Sequence, residues 1–401
     1  MRYIIIGGGA AGSFCALTAA LEGHTVTLIE KNALLMKKLG ITGKGRCNLT
    51  NLCDNDEFIA NIFSGGNFIR SSLSKLPPTK LVDFFQDKLG FPLTVERGNR
   101  VFPQNGGAVD VVLAIKNRMI RENVRIITDT ALSLIIEGNT VTGARCEHDD
   151  YIGERVVIAC GGVSYPVTGS TGDGYSLARQ AGHNTATPTA ALVPLLTRED
   201  TSDVAELLLK NITATLFKND KAVFKEQGEI GFETYGLSGA LALTASCYIK
   251  GEANWKLRID CKPALSEETL DARLLREIQD GAANAGDLLR KILPKGLDRL
   301  VAKRASIKRD TPTAIMTKAK RLAIVGAVKR LDFGITGKRP IEEAIVTNGG
   351  VCLDEIDPRT MKSKLVNGLY VIGETLDIAG LTGGFNLHCA FATGYAAATA
   401  D

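Results

Sequence analysis

The chain has no Cys-x-x-Cys pair, no histidine cluster and no apolar run of bilayer length, and each gap removes a class of protein. Nine cysteines, an odd number, are scattered along 401 residues without zinc-ligand spacing. That pattern speaks against a disulfide framework and for reduced thiols in a cytoplasm. It also sets aside disulfide-reductase chemistry as a first choice. Four isolated histidines argue against a metalloenzyme, so no metal site is expected. No stretch reaches about 18 apolar residues, so neither a membrane span nor a membrane partner is expected. The apolar N-terminus is interrupted by Gly7, Gly8, Gly9 and Gly12 and does not have a signal-peptide layout. Low-complexity segments and internal repeats are absent. With 45% apolar and 23% charged residues, disorder and coiled coil are excluded by composition.

What is present is glycine, 42 of them, in a chain long enough for two or three domains. The net charge is +4 but unevenly placed. Between Arg290 and Arg339 stand 15 Lys/Arg against Asp298, Asp310 and Asp332, a local net of +12 that leaves −8 on the remainder. Such a stretch suits either a solvated helical face or an anionic partner.

RYIII at residues 2–6 reads as a short buried strand, Gly7 to Gly9 as a turn, Ala10 to Glu22 as a helix and Thr25 to Glu30 as a second strand. This is the size of a βαβ nucleotide-binding unit. Within it lies Gly7-x-Gly9-x-x-Gly12, with Ala11 inside the motif. Gly7 permits the tight turn, Gly9 lets backbone approach a pyrophosphate, and Gly12 allows helix and strand to pack closely. The helix N-terminus adds N–H donors and positive potential. Glu30, followed by Lys31, lies where an acid accepts hydrogen bonds from adenosine ribose hydroxyls. An acid there speaks against a 2′-phosphate at this site.

Two features select FAD over NAD as the resident cofactor. A second glycine loop, Thr42-Gly43-Lys44-Gly45-Arg46-Cys47-Asn48, combines close backbone approach with positive charge. Farther on, Gly373-Glu374 ends a strand (Gly368 to Gly373), with Asp377 soon after. Gly383-Gly384 then opens a helix expected over Phe385 to Ala400 and carrying Asn386 and Leu387. That helix would aim its N-terminus at the flavin N1/O2 edge, where it stabilises the anionic reduced ring. Further strands are expected at Val124 to Thr128, Ala131 to Glu137, Thr140 to Cys146 and Glu154 to Cys160, the last entering Gly161-Gly162. Leu207 to Cys247 reads as a small antiparallel unit turning at Asn219-Asp220, and Ser266 to about Arg330 as helix broken at Pro294 and Pro312. The fold class is therefore α/β: a discontinuous Rossmann-like FAD-binding domain (1–190 and 344–401), an inserted antiparallel β-domain (191–262 and 323–343) and a helical subdomain (263–322). No second Gly-x-Gly-x-x-Gly follows a strand, so NAD(P)H, if it is the electron donor, must visit the same flavin face transiently.

The strings GKGRCNLTN (43–51), YPVTGSTGDGY (165–175) and TMKSK…GLYVIGETLDIAGLTGGFNLHCAFATGY (360–395) resemble one bacterial family. It is the NAD(P)/FAD-dependent oxidoreductase family related to aminoacetone oxidase and to the flavoprotein of bile-acid-inducible operons, a branch of the glutathione-reductase-like superfamily. The resemblance covers nearly the whole chain and implies the same inserted β- and helical domains. It implies that Glu30 binds ribose, that Arg46 and Asn48 lie by the cofactor, and that Asp173 supports it. Glu374 would meet the ribityl chain, and Asn386 and Leu387 the pyrimidine edge. Two positions depart from the family. Thr234 stands where it often has histidine in Phe232-Glu233-Thr234-Tyr235-Gly236, and His388 where it often has glutamine.

Candidate acid–base residues are His388, Tyr235, Tyr165 and Asp377, the first two carried forward as catalytic and Asp377 also read as ordering the loop before the flavin helix. Cys47 is read as a small residue demanded by tight packing. The expected activity is hydride exchange between flavin N5 and a small organic substrate, as an NAD(P)H-fed reductase. An amine oxidase returning electrons to oxygen is the first alternative. An RNA-modifying flavoprotein using the basic insert is the second, disfavoured because Phe333 is the only aromatic between Arg290 and Arg339.

Overall fold

The structure, a computed structural model, describes residues 1–401. The chain forms two compact units, Met1–Ala191 with Ile341–Asp401, and Leu192–Pro340. No helix is long and apolar enough to cross a membrane.

The first unit is built on a parallel sheet of β1 (Arg2–Ile6), β2 (Thr25–Glu30), β3 (Arg125–Thr128), β4 (Arg155–Ile158) and β5 (Leu369–Val371), in the order β5-β4-β1-β2-β3. β1 is the hinge of the arrangement, with Ile4 opposite both Thr27 of β2 and Val156 of β4. Continuous apolar runs such as Ile4–Ile6 and Val156–Ile158 are what a sheet covered on both faces requires, and all six residues are buried. The helix α1 (Ala10–Leu21) buries every residue from Ala11 to Ala19. The C-terminal helix α2 (Phe385–Ala398) crosses it so closely that a Cβ on Gly394 would sit 2.7 Å from the Ala11 carbonyl oxygen. Small side chains on both helices make that crossing possible. Arg155, also buried, donates from Nη1 to Tyr3 Oη and to the Ala400 carbonyl, both at 2.7 Å, and so ties the chain's last residues to the sheet. A small hairpin of Leu93–Glu96 and Arg100–Pro103 pairs with the short strand Thr50–Asn51.

The second unit is a closed six-stranded antiparallel barrel of Leu195–Thr197, Gly236–Ser238, Lys221–Glu233, Leu208–Lys218, Trp255–Asp260 and Leu331–Lys338, in that order around the ring. Its longest hairpin turns at Asn219-Asp220, both with positive φ (48° and 64°), the conformation that matches strand twist in two-residue turns. Closure removes the sheet edges. Between the last two barrel strands lie the helices Glu267–Gln279, Ala285–Ile292, Leu297–Arg304 and Lys318–Lys329. Ser266, Asn284 and Thr317 cap three of them through their side chains. Two expectations need correction. Gly239–Ser246, inside the run read as β-type, is a helix packed on the barrel. The helical segment also breaks at 280–284, where Asn284 begins a new helix, in addition to the breaks at the two prolines.

Candidate functional site

The first glycine turn has the geometry of an anion cradle. Gly7 takes φ +106°, and a Cβ there would meet the Ala159 carbonyl oxygen at 2.5 Å; a Cβ on Gly12 would lie 1.9 Å from the Gly7 oxygen. Above Gly9 there is open space. α1 starts at this point with no side-chain cap and no acid in its first turn, so its N–H groups and positive end are left to a ligand. Glu30, ending β2, accepts from Gly8 N (2.7 Å) and Asn32 N (2.9 Å), which fixes its carboxylate beside the turn. Lys31 is paired with Asp173 at 2.6 Å.

The second loop folds back through consecutive left-handed residues, Gly43, Lys44 and Gly45 (φ 58°, 56° and 84°), and again at Cys47 (φ 58°). Cys47 is fully buried and its thiol is pushed up to about 12 by desolvation, which suits packing and leaves no thiolate nucleophile. Lys44 and Arg46 are exposed. Arg46 is ion-paired with Glu96 and stacks 4.3 Å from the centre of the Phe102 ring. Asn48 Oδ1 is buried without a hydrogen-bond partner. It faces Gly384, where a Cβ would stand 2.9 Å from it and 2.6 Å from the Thr50 carbonyl.

The third element begins past β5. Gly373 (φ +66°) approaches Ala11 so closely that a Cβ would be 2.6 Å from that residue's own. Glu374 receives Thr347 N (2.6 Å), Lys38 Nζ (3.1 Å) and Ser164 Oγ (3.2 Å), and its Oε2 would lie 4.0 Å from a Cβ on Gly161. A Cβ on Gly162 would strike Thr347 Oγ1, which instead accepts from Val163 N and Ser164 N. Gly383 and Gly384, both with positive φ, lead into α2, which like α1 lacks a side-chain cap and first-turn acids. Asp377 Oδ1 accepts from Ser64 Oγ (3.0 Å) and Gly349 N (3.1 Å), ordering the preceding loop.

Four of the expected site residues take definite places. Asn386 spends its side chain on Gly380, accepting from its N and donating to its O, both at 2.7 Å; only backbone at Phe385, Asn386 and Leu387 is left for a ligand. His388 is completely buried, with Nδ1 2.9 Å from Thr50 Oγ1 and Nε2 2.9 Å from the Leu76 carbonyl. Desolvation lowers its pKa to about 4. A neutral imidazole satisfied at both nitrogens in the core has no route for exchanging protons with a substrate. Tyr165 is exposed in a turn with φ +50°. Tyr235, in the other unit, occupies the turn between Lys221–Glu233 and Gly236–Ser238, with the Arg339 guanidinium 4.6 Å over its ring. What the sequence reading missed is Lys38, an apparently ordinary lysine in a basic pair, which bridges Ser164 and Glu374.

Two bare helix N-termini, glycines that no side chain can replace and one orphaned buried amide oxygen fit a ligand with a pyrophosphate and a hydrogen-bonding ring edge, which FAD has. Comparison with known proteins agrees. The HI0933-like protein Rossmann domain matches residues 1–400. The 3-dehydro-bile acid delta(4,6)-reductase of Clostridium scindens is 30% identical over 100% of this chain and 98% of its own length. The ribosomal RNA dihydrouridine synthase of Escherichia coli is 29% identical over 98% of this chain and 96% of its own. Among solved structures, the 3-ketosteroid delta1-dehydrogenase of Sterolibacterium denitrificans shares the fold at 13% identity and a TM-score of 0.54, over 99% of this chain and 98% of that one.

Proposed function

The chain belongs to the HI0933-like protein Rossmann-domain family and is an FAD-dependent oxidoreductase, and on that premise we propose that it reduces a C=C bond conjugated to a carbonyl, with NAD(P)H as electron donor. The observation that carries the substrate class is a likeness between two whole-length relatives of different specificity. One is named for reducing a bile-acid C=C and the other for making dihydrouridine, the product of saturating the uracil C=C. Both double bonds are polarised by a carbonyl, so both accept hydride at the β-carbon.

Bound FAD supplies hydride exchange at N5. The chain's residues do the rest. Gly7, Gly9, Ala11, Gly12 and the start of α1 take the pyrophosphate, and Glu30 takes ribose hydroxyls beside Lys31 and Asp173. Gly161 keeps backbone near Glu374, and Gly162 packs on Thr347, whose N–H donates to that carboxylate. Gly373 and Glu374 meet the ribityl chain, with Lys38 orienting the Glu374 carboxylate. The loop Gly43 to Asn48 would border the ring, with the unpartnered Asn48 Oδ1 available to accept from it. Backbone N–H groups from Gly384 to Leu387, at the positive end of α2, stabilise negative charge on the pyrimidine edge. A proton from water or from a side chain at the site balances the hydride. Mixing the yellow protein anaerobically with NADPH, then with an enone, tests the reading. Bleaching near 450 nm followed by recovery supports it; bleaching by a primary amine and recovery in air would make it an oxidase instead.

A second reading, a base in RNA as substrate, is favoured by the basic insert. Lys295, Arg299, Lys303, Lys308 and Lys318 are exposed and carry no ion pair, while Arg290, Lys291, Arg304, Arg309, Arg321, Lys329 and Arg330 are paired with acids. Lys308 and Lys320 line a groove of about 380 Å³ with Ser306 and Thr311. Salt-dependent binding of a ribosomal RNA fragment, lost when these lysines become glutamine, would select this reading.

A further inference from the structure

A second cationic patch lies in the first unit, at the glycine loop and the C-terminal helix that frame the site. The hairpin Leu93–Pro103 turns at Arg97-Gly98-Asn99, with Gly98 and Asn99 both at positive φ. Its outgoing strand pairs Arg100 with Asn51. Asn51 then bridges two elements through its side chain: Nδ2 lies 3.0 Å from the Gly98 carbonyl and 3.4 Å from that of Gly383, at the foot of α2. One amide group therefore ties the hairpin turn to the start of that helix.

The same hairpin meets the glycine loop at Phe102. That ring is 5% exposed and carries two guanidinium groups, Arg46 at 4.3 Å from its centre and Arg100 at 5.7 Å. Stacking on an aromatic face fixes the plane of a guanidinium and leaves its in-plane donors pointing outward, a pre-organised fork for phosphate. Arg100 Nε is spent on the Arg97 carbonyl at 3.1 Å, and Arg46 pairs with Glu96. Lys44, Arg46, Arg97 and Arg100 are all exposed, and Glu96 is the only acid on the loop 43–48 and the hairpin 93–103.

We propose that this loop and hairpin form the phosphate-recognition element for the nicotinamide donor and select the 2′-phosphorylated dinucleotide, NADPH. The inference rests on the reading of the chain as a nicotinamide-fed reductase. Three observations support it. The fold's one dinucleotide turn is assigned to FAD and does not serve the donor, while the patch sets four exposed cations against one acid, which suits the added charge of a 2′-phosphate. A donor that reaches the flavin transiently needs its phosphates held somewhere next to the site, and this patch adjoins two of the elements framing it. The patch is also compact, and its one ring is covered by guanidinium groups rather than open to bases, which disfavours single-stranded nucleic acid.

The test is calorimetric titration of the FAD-loaded full chain with NADP+, NAD+ and a 12-nucleotide single-stranded RNA, for wild type, Arg100→Gln and Arg100→Lys. FAD absorbance and thermal melts would verify that each variant is folded. We expect NADP+ to bind more tightly than NAD+ and Arg100→Gln to weaken NADP+ about tenfold, the loss of one charge-assisted contact. Arg100→Lys should fall between, and NAD+ should change less than about twofold. NADP+ binding that ignores both substitutions would overturn this inference alone. A loss of RNA affinity with unchanged NADP+ would assign the patch to a polynucleotide and overturn it too. A wild-type enzyme that binds neither dinucleotide would overturn both the inference and the nicotinamide-fed reading.

Discussion

Acidification should destabilise this protein through His388, and by a calculable amount. The imidazole is fully buried; the Leu76 carbonyl takes the Nε2 proton, and in the neutral ring Nδ1 accepts from Thr50 Oγ1, so burial disfavours adding a second proton. Its folded-state pKa of about 4 lies below the ordinary 6.5. Protonation therefore favours the unfolded chain: stability is complete above pH 6.5 and drains away as pH falls toward 4. At about 1.4 kcal/mol per pKa unit the full penalty is about 3 kcal/mol, of which about 2 kcal/mol is felt at pH 5. Urea unfolding of FAD-saturated protein, followed by circular dichroism at pH 7, 6 and 5, measures it. His388→Gln should cost about 1–3 kcal/mol at pH 7, because one of two buried partners loses its hydrogen bond. It should also flatten the pH dependence by about 2 kcal/mol between pH 7 and 5. The pH profile of flavin reduction should not move. If wild type and variant lose stability equally on acidification, or if the variant shifts the kinetic profile, the assignment of His388 to the core is wrong.

Other substitutions probe the cradle directly. Gly12→Ala places a methyl 1.9 Å from the Gly7 oxygen; the purified protein should be colourless and take up no FAD in an absorbance titration. Gly384→Ala must hold φ +99° and push against Thr50. A stability loss of about 1–3 kcal/mol is expected from the backbone strain alone, read by urea unfolding, together with weaker FAD retention on gel filtration. Glu30→Ala should weaken FAD about tenfold or more by equilibrium dialysis, with the flavin spectrum unchanged.

The parts of the site set by covalent geometry were legible in the sequence. Gly7, Gly12 and Gly384 report positions where backbone touches backbone, and no other residue type can stand there. Long-range closure was not legible. Nothing local in Trp255–Asp260 says that it bridges Leu208–Lys218 and Leu331–Lys338, and the apolar, small-residue run Gly239–Ser246 fits a strand as well as the helix it forms. The burial of His388 is illegible for a related reason. α2 is buried on nearly every side, so its sequence has no polar face from which the direction of one histidine can be read. Nothing local marks Lys38 or Arg155, because partners remote in sequence, Glu374 and Ala400, give them their roles.

The crossing of α2 over α1 at Gly394 and Ala11 has a consequence for biosynthesis. α1 lacks its cover, and the sheet lacks β5, until residues that follow the barrel in chain order have been made. A ribosome adding about 5–20 residues per second has by then translated the whole barrel. Throughout that interval the small-residue face of α1 stays uncovered and the flavin cradle lacks Gly373, Glu374 and Gly384. The complete FAD cradle therefore waits until α2, which follows the whole barrel in chain order, has been made.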